Sequence, residues 1–417
     1  MPFSQPPGRK AFTLIELLVV IGILAVLSAV TVVVLNPAEL LAESRDSVRL
    51  SDLKSINDIL FVYTTQKGEP GGNPNYVYLS LPDNNSSCSS HSLPALPAPY
   101  QYSCVREADL RKVDSTGWIP VNLASIPGGS PIPVLPVDPE NSASYYYTYM
   151  AGGSYEITAL LESERYLKSS ALKDKGIDPA RMEMGTNLSL WNLPSGLVAY
   201  WPFDGSGSIA NGQALGLEDQ SPFHNNGTAS NANGSGMAFV EGKVGNALYV
   251  DGVDDWVNAG NNASLNISGP ITLAAWFNTS APGGASRIVS KQYSDTSETT
   301  ATSCYQLGYY QSTYRFSLYT NTGGSLDRQV GAPGANVWNH LIGTWNGSTY
   351  QIYANGNLIY SNNFAGVLKT NPVTPLSIGA SYADEAMYFA KGNLDEVRIY
   401  NRALSAEEAR AIYKAEK

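Results

Sequence analysis

An uncharged apolar stretch near the N-terminus constrains this chain more than any other feature of its sequence. Residues 17–35 carry no charged side chain, and about 20 apolar residues in a helix span the hydrocarbon core of a bilayer. Arg9 and Lys10 precede the stretch, and Asn36 and Pro37 follow it. A secretory signal peptide would end at small residues after its apolar middle, so the sequence predicts a membrane helix instead.

Glu16 stands at the head of the apolar stretch, where an unpartnered carboxylate costs about 2.5 to 3.5 kcal/mol in a membrane helix. A cationic partner is therefore expected. Residues 12–16 read Phe-Thr-Leu-Ile-Glu, and together with the basic leader and the apolar run they closely resemble the prepilin motif of type IV pilins and pseudopilins. The alternative is an ordinary signal anchor in which the glutamate is incidental.

The prepilin resemblance implies how the N-terminus is processed. It implies cleavage of the leader, residues 1–11, between Ala11 and Phe12 by the prepilin peptidase, followed by N-methylation of Phe12. It also implies that Glu16 pairs with the terminal amine of a neighbouring pilin subunit in a helical filament. The family usually has Gly before the cut, but a cut after Gly8 would misplace Glu16. The implied locations are the inner membrane before assembly and the extracellular pilus or cell surface afterwards.

Helical periodicity continues beyond Pro37. Apolar residues recur at the spacing of one helix face, at Val48, Leu53, Ile56, Leu60 and Tyr63. Pro37 removes a backbone donor and is expected to kink the helix. The sequence therefore predicts a long helix over residues 12–67 that stops near Lys67 and Gly68.

Cysteine usage indicates an oxidising compartment. Cys88 and Cys104 lie in a Ser/Pro-rich stretch, and a disulfide between them would close a loop of about 16 residues and stabilise the fold by roughly 3 kcal/mol. The alternative is two unpaired thiols. Cys304 is expected to be a lone thiol.

Residues 68–164 are predicted to form a small domain that packs around the helix. Strand-like runs at 145–149 and 154–162, separated by 151–153, predict a β-hairpin. The mixed charged, Gly and Asn composition of residues 165–192 predicts a linker.

The Asp-Pro-x-Asn turn before this hairpin is similar to the corresponding turn of pseudopilins. In some of that family the turn helps to hold calcium, which would implicate Asp138 or Asn141. The alternative is an Asx-type turn held by its own backbone hydrogen bonds.

Residues 193–417 consist of short β-rich runs separated by Gly, Asn and Ser, which is typical of an antiparallel sandwich. Asn-Gly pairs at 346–347 and 355–356 separate three strand-like runs. Because Asn-Gly favours the tight turns of hairpins, these runs predict a three-stranded meander.

This half of the chain also resembles the LamG and concanavalin A-like lectin/glucanase superfamily. The motifs that carry the resemblance lie in family order at residues 198–204, 247–257, 271–277, 337–345 and 392–405. The fold class that follows is α+β. It comprises a long N-terminal pilin helix with a small α/β pilin domain, followed by an all-β concanavalin A-like jelly-roll sandwich.

Some members of that superfamily are glycosidases, which need two carboxylates about 5 to 9.5 Å apart across a cleft. Asp395 and Glu396 are adjacent on a predicted strand, so their side chains are expected to leave opposite faces. The alternating motif Glu-x-Asp-x-x-Glu is absent from the sequence. The sequence therefore predicts a protein that is not an enzyme.

Candidate ligand and metal residues rest on the same resemblance. The superfamily often holds a structural calcium, and Asp204, Asp219 and Asp395 are candidate oxygen ligands, with turn formation as the alternative. Aromatic residues that could contact a sugar or peptide are Tyr293, Tyr309, Tyr310 and Tyr314, with a place in the core as the alternative. A carbohydrate ligand rests on fold analogy alone at this point.

The formal net charge of −10, without a long basic cluster, makes nucleic acid an unsuitable partner for the C-terminal domain. The combined hypothesis is a minor or decorating pilin that displays a LamG-like adhesive head for a surface glycan or protein. The alternative is a pseudopilin of a type II secretion or DNA-uptake machine, whose head binds cargo or serves structurally.

Overall fold

The computed structural model describes residues 13–231, 236–292, 303–321, 324–381 and 388–417. The predicted cleavage pair, Ala11 and Phe12, and the candidate ligand residue Tyr293 lie outside these ranges.

Two consecutive helices begin the described chain, α1 at Leu14–Leu35 and α2 at Pro37–Lys67. Asn36 separates them with a left-handed φ of 39°, because Pro37 has no backbone N–H and begins a new helix instead of continuing the first. The predicted long helix is thus divided at Asn36, and its predicted end at Lys67 agrees with the structure. Counting only residues with described side chains, no helix combines the length and hydropathy needed to cross a bilayer.

A small domain packs against α2. Its five-stranded sheet has the order β2-β1-β3-β4-β5. The strands are β1 Tyr76–Pro82, β2 Gln101–Val105, β3 Tyr147–Ala151, β4 Tyr155–Leu160 and β5 Arg181–Gly185. The antiparallel pair β3 and β4 is the predicted hairpin. Leu53, Ile56 and Leu60 of α2 form a core with Tyr147 and Ile157 of this hairpin.

The segment predicted as a linker, residues 165–192, is folded. It contains most of helix α3, Glu164–Ser169, and all of β5, which pairs with β4 from Leu160 to Glu156. Met182 and Met184 of β5 pack against the small-domain core. The sequence signal was weak because a five-residue strand of mixed polarity at a sheet edge has little periodicity of its own.

A disulfide joins Cys88 to Cys104, with an S–S distance of 2.08 Å. It closes the loop between β1 and β2, as the sequence predicts. Cys304 is a free, buried thiol.

The C-terminal half is a two-layer β-sandwich. One sheet has seven strands in the order β15-β14-β13-β12-β19-β10-β7, and the other has the order β18-β17-β16-β11-β20-β9-β8 with β6 paired to β20. The strands up to β13 are β6 Leu197–Trp201, β7 Thr228–Ser230, β8 Ala238–Glu241, β9 Asn246–Asp251, β10 Trp256–Asn258, β11 Ile271–Asn278, β12 Ala285–Gln292 and β13 Ser303–Tyr310. The remaining strands are β14 Thr313–Thr320, β15 Gly324–Val330, β16 Trp338–Trp345, β17 Thr349–Ala354, β18 Asn357–Asn363, β19 Ser377–Ile378 and β20 Lys391–Tyr400.

The core of the sandwich lies between the two sheets. It contains large side chains from both layers, including Trp201, Phe277, Tyr305, Phe316 and Trp345. The predicted Asn-Gly meander is β16-β17-β18, at the edge of the eight-stranded sheet. The fold class predicted from the sequence is therefore the one observed.

Helix α4, Ala406–Glu416, joins the sandwich to the small domain. Ala409 packs against Ala274 and Ile342 on the outer side of the eight-stranded sheet. Lys414 Nζ donates to the backbone oxygen of Glu162 at 2.6 Å. A shared apolar cluster includes Leu160, Leu161, Leu167, Ala411 and Ile412. The two domains consequently share a packed interface, which we call the junction.

Candidate functional site

The outer side of the seven-stranded sheet carries polar side chains that are buried. On β13, Tyr305 and Leu307 point into the core, so strand alternation turns Gln306 to the outer side. On β14, Phe316 points into the core and Arg315 lies on the outer side in the same way.

Strand register aligns these outer residues in two neighbouring rows. One row contains Ser377, Ser290, Gln306, Ser317 and Asp327. The other contains Arg287, Gly308 and Arg315. We call the residues of both rows, together with Tyr310 and Tyr388, the outer polar face.

Arg287 is the most unusual member of the outer polar face. Arg287 is only 1% exposed, and among the described residues none of its three guanidinium nitrogens has a hydrogen-bond partner. The Tyr388 ring lies 4.5 Å from its central carbon. Burial, and secondarily the nearby positive charge of Arg315, lower the pKa of Arg287 to about 10. The distance to the Tyr388 ring lies within the range of a cation–π contact.

Arg315, by contrast, has a carboxylate partner. Its Nε and Nη2 donate to the two oxygens of Asp327 at 2.7 and 2.6 Å. Gly308 lies between Arg287 and Arg315, and a Cβ at Gly308 would lie 2.2 Å from the backbone oxygen of Ser286. Among the described residues, Asp327 therefore pairs with Arg315 and not with Arg287.

Acceptors without partners lie in the neighbouring row. Ser290 Oγ and Gln306 Oε1 are buried and have no hydrogen-bond partner within the described part of the chain. A buried polar atom without a partner costs about 1–3 kcal/mol.

Sequence reasoning placed the ligand site on tyrosines, and two of those predictions are wrong. Tyr309 and Tyr314 are buried in the sandwich core, where the Tyr309 ring stacks on Phe277 at 5.5 Å. Strand alternation turns Tyr310 outward, and its ring centroid lies 5.5 Å from the Arg315 guanidinium carbon. The sequence signal that could have singled out Arg287 is a charged residue next to Ile288 in a strand-like run. Such a residue is either paired with an opposite charge or part of a binding site.

A second candidate is an acidic cluster at the end of β9. Asp251, Asp254 and Asp255 each offer one oxygen, and these three atoms lie within 4.8 Å of one another. Oxygen donors suit a hard cation such as Ca²⁺. Asp255 Oδ1 is buried and has no hydrogen-bond partner among the residues that the structure describes, and a Cβ at Gly236 would lie 2.7 Å from Asp255 Oδ2. Burial, and then the charges of Asp251 and Asp254, raise the pKa of Asp255 to about 6. These residues fit a bound divalent cation.

The metal ligands predicted from the sequence do not meet in the structure. Asp204, Asp219 and Asp395 each accept hydrogen bonds from the backbone instead. The donors are the N–H groups of Asn246, Tyr200 and Lys243, at 2.8, 2.7 and 2.7 Å respectively. Such bonds are the usual role of a turn-forming Asp, which is why sequence alone does not separate the two roles.

The turn at Asp138 is structural. Asp138 Oδ1 accepts from the backbone N–H of Glu140 at 2.9 Å, as in an Asx-type turn. Its carboxylate also accepts from Arg49 Nε at 2.7 Å and Nη2 at 3.0 Å. Asn141 Oδ1 accepts from the Ser80 hydroxyl at 3.0 Å. The Asx-type alternative is therefore the one observed.

The prediction that alternation separates Asp395 and Glu396 is wrong. Leu394 and Val397 both face the core, so both acidic side chains between them lie outside it. A β-bulge causes this, because Glu396 has a φ of 52° and the β20 register shifts there. Both carboxylates are buried, and Glu396 accepts from the Tyr200 hydroxyl at 3.0 Å. This pair therefore does not face an open cleft.

Glu16 lies at the exposed start of α1. Its Oε2 accepts from the backbone N–H and the hydroxyl of Thr13, both at 2.9 Å. This capping box satisfies backbone donors at the start of α1 within a single chain. The predicted pairing of Glu16 with the amine of another subunit involves a second chain and stays a prediction.

Two family matches cover separate parts of the chain. Residues 251–410 match the family described as the concanavalin A-like lectin/glucanases superfamily. Residues 7–32 match the prokaryotic N-terminal methylation motif. No significant match to the chain was found among curated proteins.

Solved structures similar to this chain include three from bacterial proteins. The binding domain of Paraclostridial mosquitocidal protein 1 is 16% identical, covers 52% of this chain and 52% of its own, and has a TM-score of 0.39. Domain 4 of AbnA, an extracellular arabinanase from Geobacillus stearothermophilus in complex with arabinotriose, is 17% identical over 52% of this chain and 97% of its own, with a TM-score of 0.39. The botulinum neurotoxin serotype G binding domain is 14% identical over 50% of each chain, with a TM-score of 0.37. The match therefore spans about half the length of the first and third of these structures.

Proposed function

We propose that this chain, which carries a prokaryotic N-terminal methylation motif followed by a concanavalin A-like lectin/glucanase domain, is a pilin-like filament subunit that displays the sandwich as a ligand-binding head. The observation that carries the proposal is the presence of both regions, in this order, in one chain. The methylation motif implies processing by prepilin peptidase and association with other pilin subunits. It also implies a protein that is anchored in the membrane and then displayed on the surface.

The junction supports display of the head at a defined orientation. Lys414 of α4 contacts Glu162 at the end of β4 and Glu39 of α2, at 2.6 and 3.3 Å. Lys417 Nζ forms an ion pair with Glu164 at 2.6 Å. Because these contacts come with a shared apolar cluster, the sandwich is held against the stalk and not tethered by a flexible linker.

The size of the head favours a minor or decorating subunit. Residues 193–417 make up more than half of the chain, and a copy at every lattice position would crowd the filament. Such a subunit would place its head at a tip or at intervals along the filament.

We also propose that the head binds and does not catalyse. Asp395 and Glu396 are both buried, and Asp395 Oδ2 accepts backbone hydrogen bonds from Lys243 and Val244. A glycosidase needs its two carboxylates open to a cleft that admits the sugar and, in inverting enzymes, a water.

The test compares assembly and binding in the same cells. Filaments are sheared from cells that express the wild-type chain, Glu16→Ala, or the matched control Glu69→Ala, whose side chain is exposed at the end of α2. We expect the wild type and the control in the sheared fraction, and Glu16→Ala to be retained in the membrane. Sheared wild-type filaments should bind saturably to a glycan or matrix-protein array. Retention of all three variants in the membrane would favour a component of a secretion or DNA-uptake machine.

A further inference from the structure

We infer that a proton shared by the buried carboxyl groups of Glu156 and Glu183 holds the link between the two domains closed, and that this link opens as the pH rises. We call residues 174–191 the connector. They include β5 and lead from the small domain toward the first strand of the sandwich. This pH response belongs to the joint between the domains and does not depend on what the head binds.

Strand pairing places the two carboxyl groups side by side. Thr158 of β4 lies opposite Glu183 of β5, so Glu156 is a diagonal neighbour of Glu183. Residues two apart on a strand face the same side, and long side chains at diagonal positions reach each other. Because Ile157 packs into the core beside α2, Glu156 and Glu183 lie on the opposite face of the sheet.

The two carboxyl groups are buried and lack a donor. Glu156 is 0% exposed and Glu183 is 1% exposed. Their side chains are hydrogen-bonded to each other, yet Oε1 of each has no donor among the described residues. Two ionised carboxylates offer only acceptors, whereas a protonated carboxyl group donates a hydrogen bond. One proton between the two groups therefore supplies the missing donor and removes one of two buried negative charges.

The connector surrounds the pair with further acidic groups. Asp174 Oδ2 accepts from the backbone N–H of Glu183 at 2.8 Å. Glu183 Oε2 in turn accepts from the backbone N–H of Asp178 at 3.3 Å. A Cβ at Gly176 would lie only 1.7 Å from Glu183 Oε2, so the turn between the two aspartates packs directly on the pair. Ionisation of both glutamates would thus add like charges at close range.

The nearby cation is Arg181 on the same face of β5, and it is already shared. Its Nε lies 3.6 Å from Asp178 Oδ2, and its Nη2 lies 3.7 Å from Glu408 Oε1 of α4. On the other side of β4, the residue opposite Glu156 is Met150 of β3, which carries no charge. A proton is therefore the means of neutralisation that these neighbours leave to the pair.

The direction of the pH response follows from burial. Burial raises the pKa of Glu156, and burial together with the charge of Glu156 raises the pKa of Glu183. Burial also raises the pKa of Asp174 to about 7. In an opened connector these groups release their protons near the ordinary carboxyl pKa of about 4. The stability that the protons contribute is therefore complete below about pH 4 and is lost as the pH rises through the raised values.

The pair controls the connector because it anchors both of its ends. Glu156 Oε2 accepts from the backbone N–H of Trp191 at 2.8 Å, and Glu183 binds Asp178 as described above. Trp191 is 2% exposed and belongs to an apolar cluster with Val77 of β1. Repulsion between two ionised glutamates would separate these anchors, and the head would then be held through the α4 contacts of the junction.

The experiment is hydrogen exchange followed by mass spectrometry, on the full-length chain in detergent micelles. Exchange of peptides that cover residues 174–191 is measured from pH 5 to pH 8. Each rate is divided by the chemical exchange rate at the same pH to give a protection factor. The variants are Glu183→Gln and Glu156→Gln, in which an amide donor takes the place of the shared proton. Glu241→Gln is the matched control, because Glu241 is exposed on β8.

We expect the protection factor of the wild-type connector to fall at least about 10-fold per pH unit between pH 5 and pH 7, which is the slope for release of one proton on opening. The control should keep this slope. Glu183→Gln and Glu156→Gln should each reduce the slope by about 10-fold per pH unit, because each removes the proton that the pair shares.

Three results would overturn the inference. The first is a wild-type protection factor that stays constant from pH 5 to pH 8. The second is a slope that both glutamine variants leave unchanged. The third is a loss of protection when a chelator is added at constant pH, which would show that a cation and not a proton joins the two carboxylates. If one glutamine variant does not fold, the other gives the same test from the opposite strand.

Discussion

Two buried arginines show how differently the two halves of this protein treat charge. Arg49 of α2 is 0% exposed and donates to Asp138, Asp46 and Glu162. Hydrogen bonds and the charges of these carboxylates raise the pKa of Arg49 despite its burial. Arg287 is 1% exposed and has no carboxylate partner in the described ranges, and burial lowers its pKa to about 10.

Arg49 and Arg287 differ in whether carboxylates compensate the buried charge. Arg49 connects α2 to the turn before β3 and to Glu162, two residues after β4, so its donors hold the small domain on the helix. The Arg287 guanidinium has no hydrogen-bond partner among the described residues. The two arginines therefore differ in compensation and not in burial.

Arg49→Met should have the largest effect, because it leaves two buried carboxylates, those of Asp46 and Asp138, without their cation. We expect the free energy of unfolding to fall by about 3–5 kcal/mol, as for other broken buried ion pairs. Chemical denaturation, followed by circular dichroism, measures this change. A loss below about 1 kcal/mol would mean that Arg49 is no better compensated than Arg287, and the comparison would collapse.

Asp395 is a buried acidic residue, as Arg287 is a buried basic one, and Asp395→Asn tests how burial shifts its pKa. Burial, and then the charge of Glu396, raise the pKa of Asp395 to about 9. The folded protein therefore holds a proton that the unfolded chain releases near pH 4, so wild-type stability falls as pH rises from about 4 to 9. From pH 5 to pH 7 we expect a loss of up to about 2.7 kcal/mol relative to Asp395→Asn. Parallel pH profiles of the two proteins would contradict the raised pKa.

Calcium binding tests the acidic cluster of Asp251, Asp254 and Asp255, whose charge is opposite to that of the two arginines. If the cluster binds Ca²⁺, a concentration ten times the Kd should stabilise the fold by about 1.4 kcal/mol. Thermal unfolding with calcium and with chelator measures the effect, and Asp255→Asn should abolish it. Asp219→Asn is the matched control because Asp219 caps a turn. A calcium effect that survives Asp255→Asn would place the ion elsewhere.

Arg287→Met should have the smallest effect on stability. Removal of an uncompensated buried charge is expected to leave the free energy of unfolding unchanged or to raise it by about 1 kcal/mol. The same denaturation measurement as for Arg49→Met gives the direct contrast. A loss comparable to that of Arg49→Met would show that Arg287 is a structural ion after all.

Much of the architecture could be predicted because its signals are local. The end of α2 at Lys67, the hairpin of β3 and β4, and the Asn-Gly meander each depend on periodicity or turn residues within a few positions. The pairing of Cys88 with Cys104 followed from their separation and surroundings. The methylation motif needs no tertiary context either, since it lies within residues 7–32.

Other predictions failed where a distant element or a small irregularity decided the result. Residues 165–192 became an edge strand because β4 was available to pair with them. Tyr309 and Tyr314 face the core because of strand phase, which a one-residue shift would reverse. The bulge at Glu396 placed two acidic side chains on the same side of β20.

The sequence by itself determined the order of the parts: a prepilin-type start, a helix, a small domain and a sandwich. Only the tertiary structure decided which charges are compensated, because carboxylates reach Arg49 from residues 89 and 113 positions away, and no carboxylate reaches Arg287 among the described residues. Sheet register and domain packing bring such groups together, and neither is encoded in a local pattern. The candidate site therefore became visible only when the partners of each buried charge could be identified.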